Sequence, residues 1–437
     1  MIILITLTQQ PQVPGAAMSV MSQRSTISTI AKDTSREYGA YLSDNLNSFL
    51  GRKQSCPSSL DNFSIEPPYF GIDLLRCMGP SVSWNERLSF LDFSRCFMKT
   101  SLFSTKNSSE FRGQCLVKIA NANKVAISNE LIKSKGILCD KIGLNQGFIS
   151  VYRDKQSAES VVKKICEAGE SAKLLSTEEA MRLEPRMKYI PFQPLYFVSR
   201  PNDQSANCAY FVRHLIRNIQ SKNISYENRF GNVQKVERLH QNGGTTKRFR
   251  VTTTEGKYCD YDHIVLANGI YSPLLAAQLG ARKFCPIYPL RGFSLTLLMK
   301  AEAICNTKND KKKGRVDLLR QGLIIDKIYC TSVTPNMARL AGFGEIAGYP
   351  RHADGFLTAG PRIMARYANM LFPEGSFQRI VAGFRPLSPD DLPIAGAVES
   401  VPGLYLHTGH GSLGEVIEFN ILYTSRTSFP SIIFVRI

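Results

Sequence analysis

The chain has 437 residues, which is more than one ordinary domain of about 100–200 residues. It is 43% hydrophobic and contains 24 Phe and 17 Tyr, so it can bury a sizeable core, and this composition excludes disordered, collagen-like and small disulfide-rich proteins. No stretch approaches the roughly 20 apolar residues of a membrane span, so we expect no transmembrane segment. Lys and Arg number 54 against 36 Asp and Glu, a net charge of +18, but no zinc-finger, homeodomain or RNA-recognition signature accompanies that charge, and we expect no nucleic-acid partner.

The cysteines and histidines point to neither a disulfide framework nor a metal site. The 11 cysteines are odd in number, spread along the chain and never form C-x-x-C, and the 6 histidines make no metal-binding pattern. A reducing, intracellular compartment fits this usage best. The first 32 residues lack Asp and Glu and carry Arg24 and Lys32, which is typical either of a weak organellar transit segment or of an arbitrary amino terminus. We therefore expect a cytoplasmic or mitochondrial protein.

Regular patterns are weak before residue 113 and clear after it. In residues 1–110 no strand pattern is followed by a glycine turn and a helix. Ser176 and Glu179 form the sequence signature of a capping box at the start of a helix that stops before Pro185. The other elements predicted up to residue 220 are helices at 118–135, 157–168 and 206–220 and a strand at 147–152.

The second half of the chain is richer in strands. Ser272 is the predicted cap of a helix with Pro273 in its first turn, and Gly280 ends it. Strands are predicted at 233–239, 249–254, 264–267, 293–299, 322–329, 338–347 and 404–408, with turns at 242–243 and 255–256. The chain thus has the pattern of an α+β protein with a large mixed β-sheet.

Two glycine-containing loops follow predicted strands. After the buried strand that ends near Ala267, Gly269 allows a close approach of the backbone to a flat or phosphorylated ligand, and a helix start follows; an ordinary strand-to-helix turn explains this pattern equally well. Residues 409–414, GHGSLG, match G-x-G-x-x-G directly after a strand, but no second strand with an acidic residue about 20 positions later follows them. This second loop is therefore not a complete dinucleotide-binding unit, although its amides can contact a cofactor ring.

Arg385 is the strongest candidate for substrate binding. It lies between Gly383 and Pro386 in VAGFRPLSPDDLPIAG, on backbone that suits bidentate capture of a carboxylate. The alternative is a structural arginine that pairs with Asp390 or Asp391. Two further glycine-interrupted strands, residues 286–296 (PIYPLRGFSLT) and 339–349 (RLAGFGEIAGY), complete the set of motifs.

In this order and spacing, the five motifs resemble the FAD-dependent D-amino-acid oxidase-like family, most closely its D-amino-acid dehydrogenases, with glycine and sarcosine oxidases more distant. The resemblance runs from about residue 113 to residue 414. It implies an α/β FAD-linked oxidoreductase fold, FAD as the cofactor and an amino acid as the small-molecule substrate. It also implies oxidative deamination, in which the α-hydrogen leaves as hydride to the flavin, with a quinone or oxygen as the final electron acceptor.

The resemblance also assigns residues and parts of the chain. Arg385 binds the substrate carboxylate, and His410 lies beside the flavin with a possible catalytic role. The residues expected to bind FAD are Val233, Ala267, Gly269, Gly409, Gly411, Ser412, Leu413 and Gly414. The FAD-binding part comprises residues 203–285 and 380–414, and the substrate part comprises 113–202 and 286–379.

The chain departs from the family at both ends. The family's first strand, G-x-G-x-x-G turn and acidic residue are not recognisable in residues 1–112, which predicts a poorly defined region without the FAD diphosphate loop, and residues 415–437 form an atypical tail. Arg291 and Phe293 replace the usual lysine and tyrosine. The alternatives are therefore a non-catalytic or truncated remnant that cannot bind FAD and a glycine- or sarcosine-oxidase-like activity.

Overall fold

A computed structural model describes residues 2–5, 27–30, 70–102, 111–112, 115, 145–167, 170–190, 195–207, 217, 233–239, 248–299, 319–326, 328–334, 336–350, 359–373 and 375–411. The helix predicted at 118–135, the turn at 242–243 and three of the candidate site residues, Ser412, Leu413 and Gly414, lie outside these ranges.

The described residues form 17 strands and six α-helices. The strands are β1 Ile2–Ile5, β2 Ile27–Ile30, β3 Phe70–Ile72, β4 Asn145–Tyr152, β5 Lys173–Leu175, β6 Tyr196–Asn207, β7 Val233–Arg238, β8 Phe249–Thr253, β9 Tyr258–Tyr261, β10 His263–Leu266, β11 Tyr288–Met299, β12 Gly322–Ile325, β13 Ile328–Thr334, β14 Met337–Ile346, β15 Gly375–Leu387, β16 Ile394–Ala397 and β17 Leu404–Thr408. The α-helices are α1 Leu74–Met78, α2 Trp84–Leu102, α3 Lys155–Glu167, α4 Thr177–Leu183, α5 Ser272–Gln278 and α6 Ala359–Leu371.

Three sheets organise these elements, and the predicted α+β class with a large mixed sheet is confirmed. A 10-stranded mixed sheet has β15, β11, β14, β13, β12, β4, β6 and β2 in that spatial order, with β3 beside β14 and β5 beside β6. A four-stranded sheet has the order β1-β10-β17-β16, and β7, β8 and β9 form a three-stranded antiparallel sheet.

In the four-stranded sheet, β1, β10 and β17 run parallel to one another. Strand β10 is short and almost wholly apolar, as expected for a parallel strand that is covered on both sides. Because parallel strands end at the same edge of a sheet, the loops after β10 and β17 lie side by side there.

Two main hydrophobic clusters follow this division into sheets. One joins the three-stranded sheet and helix α5 to β10 and β17, with Phe249, Leu266 and Leu404 at its centre. The other joins one face of the 10-stranded sheet to helix α6, with Leu295, Leu340 and Met364 among its members. Burial of apolar side chains in these two clusters is the main stabilising contribution to the fold.

The strand predicted at 322–329 is wrong, because β12 and β13 form an antiparallel hairpin there. Asp326 occupies the turn with a left-handed φ of 46°. Its carboxylate accepts hydrogen bonds from Arg153 Nη2 (2.7 Å) and from the hydroxyl of Tyr367, so a side chain directly after β4 and one from α6 hold the reversal. These long-range contacts are not visible in the local pattern of the sequence.

Two predicted helix starts also differ from the structure. Ser272 is the first residue of α5 rather than its cap, and its hydroxyl donates to Asn268 Oδ1 at 2.9 Å. The helix predicted from residue 206 begins inside β6, whose pairing with β2 and β4 continues the strand to Asn207. By contrast, the predicted capping box of α4 is confirmed, with both Ser176–Glu179 hydrogen bonds present.

The region before residue 113 contains more regular structure than its sequence suggests. Strand β1 pairs with β10, β3 pairs with β14, and α2 is the longest described helix. The start of α2 has a capping box that the sequence does show: Ser83 N donates to Glu86 Oε2 at 3.0 Å, and Glu86 N donates to the Ser83 hydroxyl at 3.4 Å. This S-x-x-E signal before an apolar run could have identified the helix.

The predicted division of the chain into two parts remains a prediction. Strand β15, much of which lies in the 380–414 segment assigned to FAD binding, is an edge strand of the 10-stranded sheet. Among the described residues, no helix combines the length and apolar character needed to cross a bilayer.

Candidate active site

Two loops meet at the carboxyl edge of the four-stranded sheet. The chain leaves β10 through Ala267 and Asn268 into a short 3₁₀ turn at Gly269–Tyr271, and it leaves β17 through Gly409. The Thr408 hydroxyl donates to the Gly269 carbonyl oxygen at 3.1 Å and joins the two loops. The structure therefore brings Ala267, Gly269 and Gly409 together.

The glycines of these loops leave open space beside the backbone. Gly269 has φ 58° and Gly411 has φ 54°, and a side chain built at either position would meet no atom of the described residues within 4 Å. Gly409, with φ 78°, is instead packed against Ile287 and Ile394. Left-handed backbone of this kind favours glycine and lets a ligand approach the main chain closely.

The space beside these two loops suits a flat, polar cofactor such as FAD. It lies at the carboxyl ends of adjacent parallel strands, which is where open α/β sheets bind such ligands. Ala267, Gly269 and Gly411 lie at this edge with small side chains or none, so their backbone could hold such a cofactor.

Arg385 lies on β15, and its position depends on a glycine of the neighbouring strand. A Cβ atom at Gly292 of β11 would come within 2.8 Å of the guanidinium group, so the arginine head lies directly over Gly292. Nη1 of Arg385 donates to the Phe343 carbonyl oxygen at 2.7 Å. Phe343 has a left-handed φ of 66°, which is unusual for a bulky residue.

The space beside this arginine is also kept clear by glycine. Gly383 pairs directly with Gly292 across the two strands, and within the described part of the chain a Cβ at Gly383 would meet nothing within 4 Å. Directly paired residues point to the same side of a sheet, so Gly292 lies under the Arg385 guanidinium and Gly383 leaves space next to it. A planar, doubly hydrogen-bonding cation beside such a space can bind a small carboxylate.

Arg385 and the two glycine loops lie close together in the structure. Leu387 of β15, two residues after Arg385, makes an antiparallel bridge with His410. Two strand residues span about 6.6 Å, so Arg385 and the glycine loop after β17 are close neighbours. Ile270 of the other loop packs with Leu387 and Leu290 in a third buried cluster, which fixes that loop against the same strands.

His410 is buried within this junction. Its ring lies 4.7 Å from that of His407, centroid to centroid, at the end of β17. His410 belongs to the glycine loop that follows β17. Its predicted position beside the flavin and its catalytic role remain predictions.

The two sides of the 10-stranded sheet carry different side chains. We call the side that packs in the core with α6 the apolar face; it includes Phe293, Leu295, Leu297, Ala338, Leu340, Cys330, Leu323, Ile149 and Phe197. The alternate positions form the opposite face, on which Arg385 lies. We call it the polar face because its polar residues and glycines stand among a smaller set of apolar ones, such as Leu290, Ile324 and Phe148. Its register-matched residues include Arg385, Gly383, Gly292, Ser294, Thr296, Arg339, Thr331, Tyr329, Ser150 and Arg200.

A buried ion pair lies at the end of the apolar face that is next to Arg385. Arg291 donates from Nε (2.7 Å) and from Nη2 to Glu345 Oε2, and both side chains are buried. Burial raises the pKa of Glu345, and the hydrogen bonds from Arg291 oppose that rise. The arginine that replaces the family's usual lysine thus has its own carboxylate partner.

The loop after β15 contains a second perturbed carboxyl group. Asp391 has a left-handed φ of 62°, and burial, reinforced by neighbouring Asp390, raises its pKa to about 6. Arg112 opposes this shift.

Val233 lies farther from the loops, at the start of β7, where it packs against the cluster that contains β10 and β17. The contributions of Gly292, Gly383, Phe343 and Thr408 to the site were not identified from sequence. Two of them are glycines within quoted motifs, but their pairing depends on strand register. Among the described residues, no group of three or more His, Cys, Asp or Glu side chains could hold a metal ion.

Known proteins are similar to this chain over most of its length. The sequence model of the family described as DAO, FAD dependent oxidoreductase, matches residues 104–416. D-amino acid dehydrogenase of Rhizobium johnstonii is 27% identical over 307 residues, which are 68% of this chain and 66% of that protein. The protein of the same name from Rhizobium rhizogenes is 27% identical over 309 residues, with the same coverage. The chain thus matches slightly less than two thirds of the length of these curated relatives.

Solved structures show the same fold at lower identity. Iminodiacetate oxidase of Chelativorans has a TM-score of 0.55 and 16% identity, and glycine oxidase of Geobacillus kaustophilus has a TM-score of 0.54 and 18% identity. Each match covers 74% of this chain and 81% of the other. With a family match over most of its length, the chain belongs to the FAD-dependent oxidoreductase family.

Proposed function

We propose that this chain is an FAD-dependent enzyme that oxidatively deaminates D-amino acids. The observation that carries the proposal is the Arg385 guanidinium, held over Gly292 and hydrogen-bonded to the Phe343 carbonyl, next to the crevice between the two glycine loops. The names of the 27%-identical relatives support the substrate class.

Arg385 would bind the substrate carboxylate through two parallel hydrogen bonds, which fix both the position and the rotation of the amino acid. Gly383 leaves room for the substrate on the same side of the sheet. Such orientation of the reacting carbon is the main contribution that the protein makes to a hydride transfer.

The two glycine loops would hold the cofactor at the other side of the substrate. Ala267, Gly269, Gly409 and Gly411 lie at the crevice, and we also assign Ser412, Leu413, Gly414 and Val233 to FAD binding by resemblance. FAD supplies a two-electron acceptor for the α-hydrogen of the substrate. Ile270 and Leu387 are buried together behind the two loops, and this packing would limit the entry of water from that side.

The experiment that tests this proposal is a visible absorption spectrum of the purified protein with and without added FAD, followed by anaerobic addition of a D-amino acid. We expect a bound-flavin spectrum that loses its absorbance with the D-amino acid and keeps it with the L-isomer. Glycine and sarcosine, added in the same way, test the oxidase-like alternative.

Two results would contradict the proposal in different ways. A protein that takes up no FAD would favour a remnant of such an enzyme, whereas bound flavin that no amino acid reduces would reject the substrate class. We further propose a reducing compartment and the two-part division of the chain; the electron acceptor follows from measuring reoxidation by oxygen and by a quinone.

A further inference from the structure

Helix α2 has apolar side chains on two opposite sides. On its inner side, Phe93 stacks on Phe97 (ring centroids 5.7 Å apart) and on Tyr288 of β11 (5.8 Å). This side belongs to the buried cluster that supports the candidate site. The inner side therefore accounts for only part of the apolar content of the helix.

The outer side carries a line of exposed apolar residues. Trp84, Leu91, Met98 and Leu102 are exposed by 68, 47, 56 and 72%. Their spacings of seven, seven and four residues keep them within about 40° of one another around the helix, over a length of about 27 Å. We call this line the outer stripe. Four large apolar side chains exposed along one side of a helix indicate an interaction surface.

Basic residues flank the outer stripe. Arg87, Arg95 and Lys99 fall within the same arc of about 120°, which contains no acidic position. Asp92 lies outside the arc, and its carboxylate accepts a 2.7 Å hydrogen bond from Arg282. The outer side of α2 is thus both apolar and positively charged.

This combination distinguishes between possible partners. A second copy of the chain would bring the basic residues of two stripes together, and each copy carries a net charge of +18. An anionic lipid surface satisfies both features, because the apolar side chains enter the headgroup region while Lys and Arg contact the lipid charges.

The helix is held in place and does not need to fold on contact. Arg87 fastens its start by donating from Nη2 to the Gly79 carbonyl (2.8 Å) and from Nε to the Val82 carbonyl (3.0 Å). The Asp92–Arg282 ion pair and the Phe93–Tyr288 contact join it to the body. The stripe consequently faces outward as a preformed surface.

We propose that the outer stripe of α2 docks the protein on an anionic membrane surface, with the helix lying in the plane of the interface. This proposal is independent of the proposed activity. It places the membrane on the side of α2 opposite to Tyr288 and the candidate site.

Trp84 is the only tryptophan of the chain and lies in the stripe, so its emission reports docking directly. The experiment titrates the full-length protein, with FAD, with vesicles of phosphatidylglycerol and phosphatidylcholine and with vesicles of phosphatidylcholine alone. We expect a blue shift of the emission and co-sedimentation with the anionic vesicles, both weakened by high salt.

Two variants test the role of the outer stripe. Both change exposed residues and leave the inner side of α2 intact. Leu91→Asp and Met98→Asp each place a carboxylate in the stripe, and we expect each to weaken vesicle binding by about tenfold to hundredfold. Met181→Asp, at a residue of α4 that is 37% exposed, is the matched control and should bind as the unchanged protein does.

The proposal is overturned if the Trp84 emission does not move with anionic vesicles, or if Leu91→Asp and Met181→Asp bind equally well. Sedimentation velocity tests whether a second copy of the chain covers the outer stripe instead. If the protein self-associates, does not bind vesicles and loses self-association in Met98→Asp, the outer stripe is a contact between two copies. Flavin reduction in solution, measured on the same variants, should be unchanged, which keeps this test separate from that of the proposed function.

Discussion

The apolar and polar faces of the 10-stranded sheet are built from alternate residues of the same strands, yet they contribute differently to stability and to binding. In β11, Leu295 and Leu297 pack in the core under α6. Gly292 and Ser294 of the same strand lie on the opposite face, together with Arg385 of β15. The apolar face contributes stability by burial. The polar face contributes a binding surface, and its glycines give up packing in order to leave space. The period of two in a β-strand is what allows one sequence to serve both purposes.

The largest expected effect comes from the apolar face. Phe197 is buried in the core cluster, so Phe197→Ala should lower the free energy of unfolding by about 3–5 kcal/mol, through lost burial and the cavity that remains. Urea denaturation followed by circular dichroism measures this loss. The fraction that remains folded should keep its KM for amino acids, and a changed KM would break the distinction between the faces.

On the polar face, Arg385→Ala should act on binding rather than on folding. Loss of hydrogen bonds to a charged group predicts a rise in KM of about 10- to 150-fold, with bound flavin retained. Steady-state kinetics and the visible spectrum check both statements. Arg250→Ala, which removes an arginine paired with Asp260 on the three-stranded sheet, is the control and should leave KM unchanged. Unchanged kinetics in Arg385→Ala would remove the clamp assignment.

The glycine pair sharpens the comparison further. A methyl group at Gly292 collides with the Arg385 guanidinium, so Gly292→Ala should displace the clamp at a cost of about 1–3 kcal/mol and raise KM accordingly. Gly383→Ala adds a methyl group to open space, so it should preserve Arg385 and affect bulky substrates more than small ones. A series of amino acids of increasing size distinguishes the two variants. If both variants lose activity equally with all substrates, the substrate does not bind in the space beside Gly383.

The smallest expected effect concerns pH. The pKa of Asp391 is raised from 3.8 to about 6 by burial, so the folded protein binds more protons than the unfolded chain between these values. Stability from this group is therefore present below about pH 4 and is lost as the pH rises to about 6, by an amount on the order of 1 kcal/mol.

Asp391→Asn removes this titration, and asparagine tolerates the left-handed φ at this position. The free energy of unfolding of the variant, measured by urea denaturation at pH 4.5 and pH 6.5, should fall less over this interval than that of the unchanged protein. An identical slope in both proteins would assign the pH dependence to other groups.

The order of local motifs could be read from the sequence because each depends on neighbours in the chain. The capping box of α4 needs only residues 176–179, and the strand at Leu404–Thr408 needs only its own apolar pattern and the glycine after it. The five motifs together were enough to predict the family and FAD, both of which the family match confirmed.

Other features depended on which strands become neighbours. The hairpin at Asp326 is held by Arg153, which is 173 residues away in the chain, and the pairing of Gly292 with Gly383 joins two separate motifs. Strand β1 was not predicted, because a four-residue apolar stretch can be recognised as a strand only through its pairing with β10.

The sequence by itself determined the chemical groups: a constrained arginine, two glycine loops and an apolar strand before each loop. Only the tertiary structure decided that the arginine lies over one glycine, beside a second, and next to the loop that contains His410. The physical reason is that strand register and sheet order arise from the burial of the whole core, so no local stretch of sequence contains them.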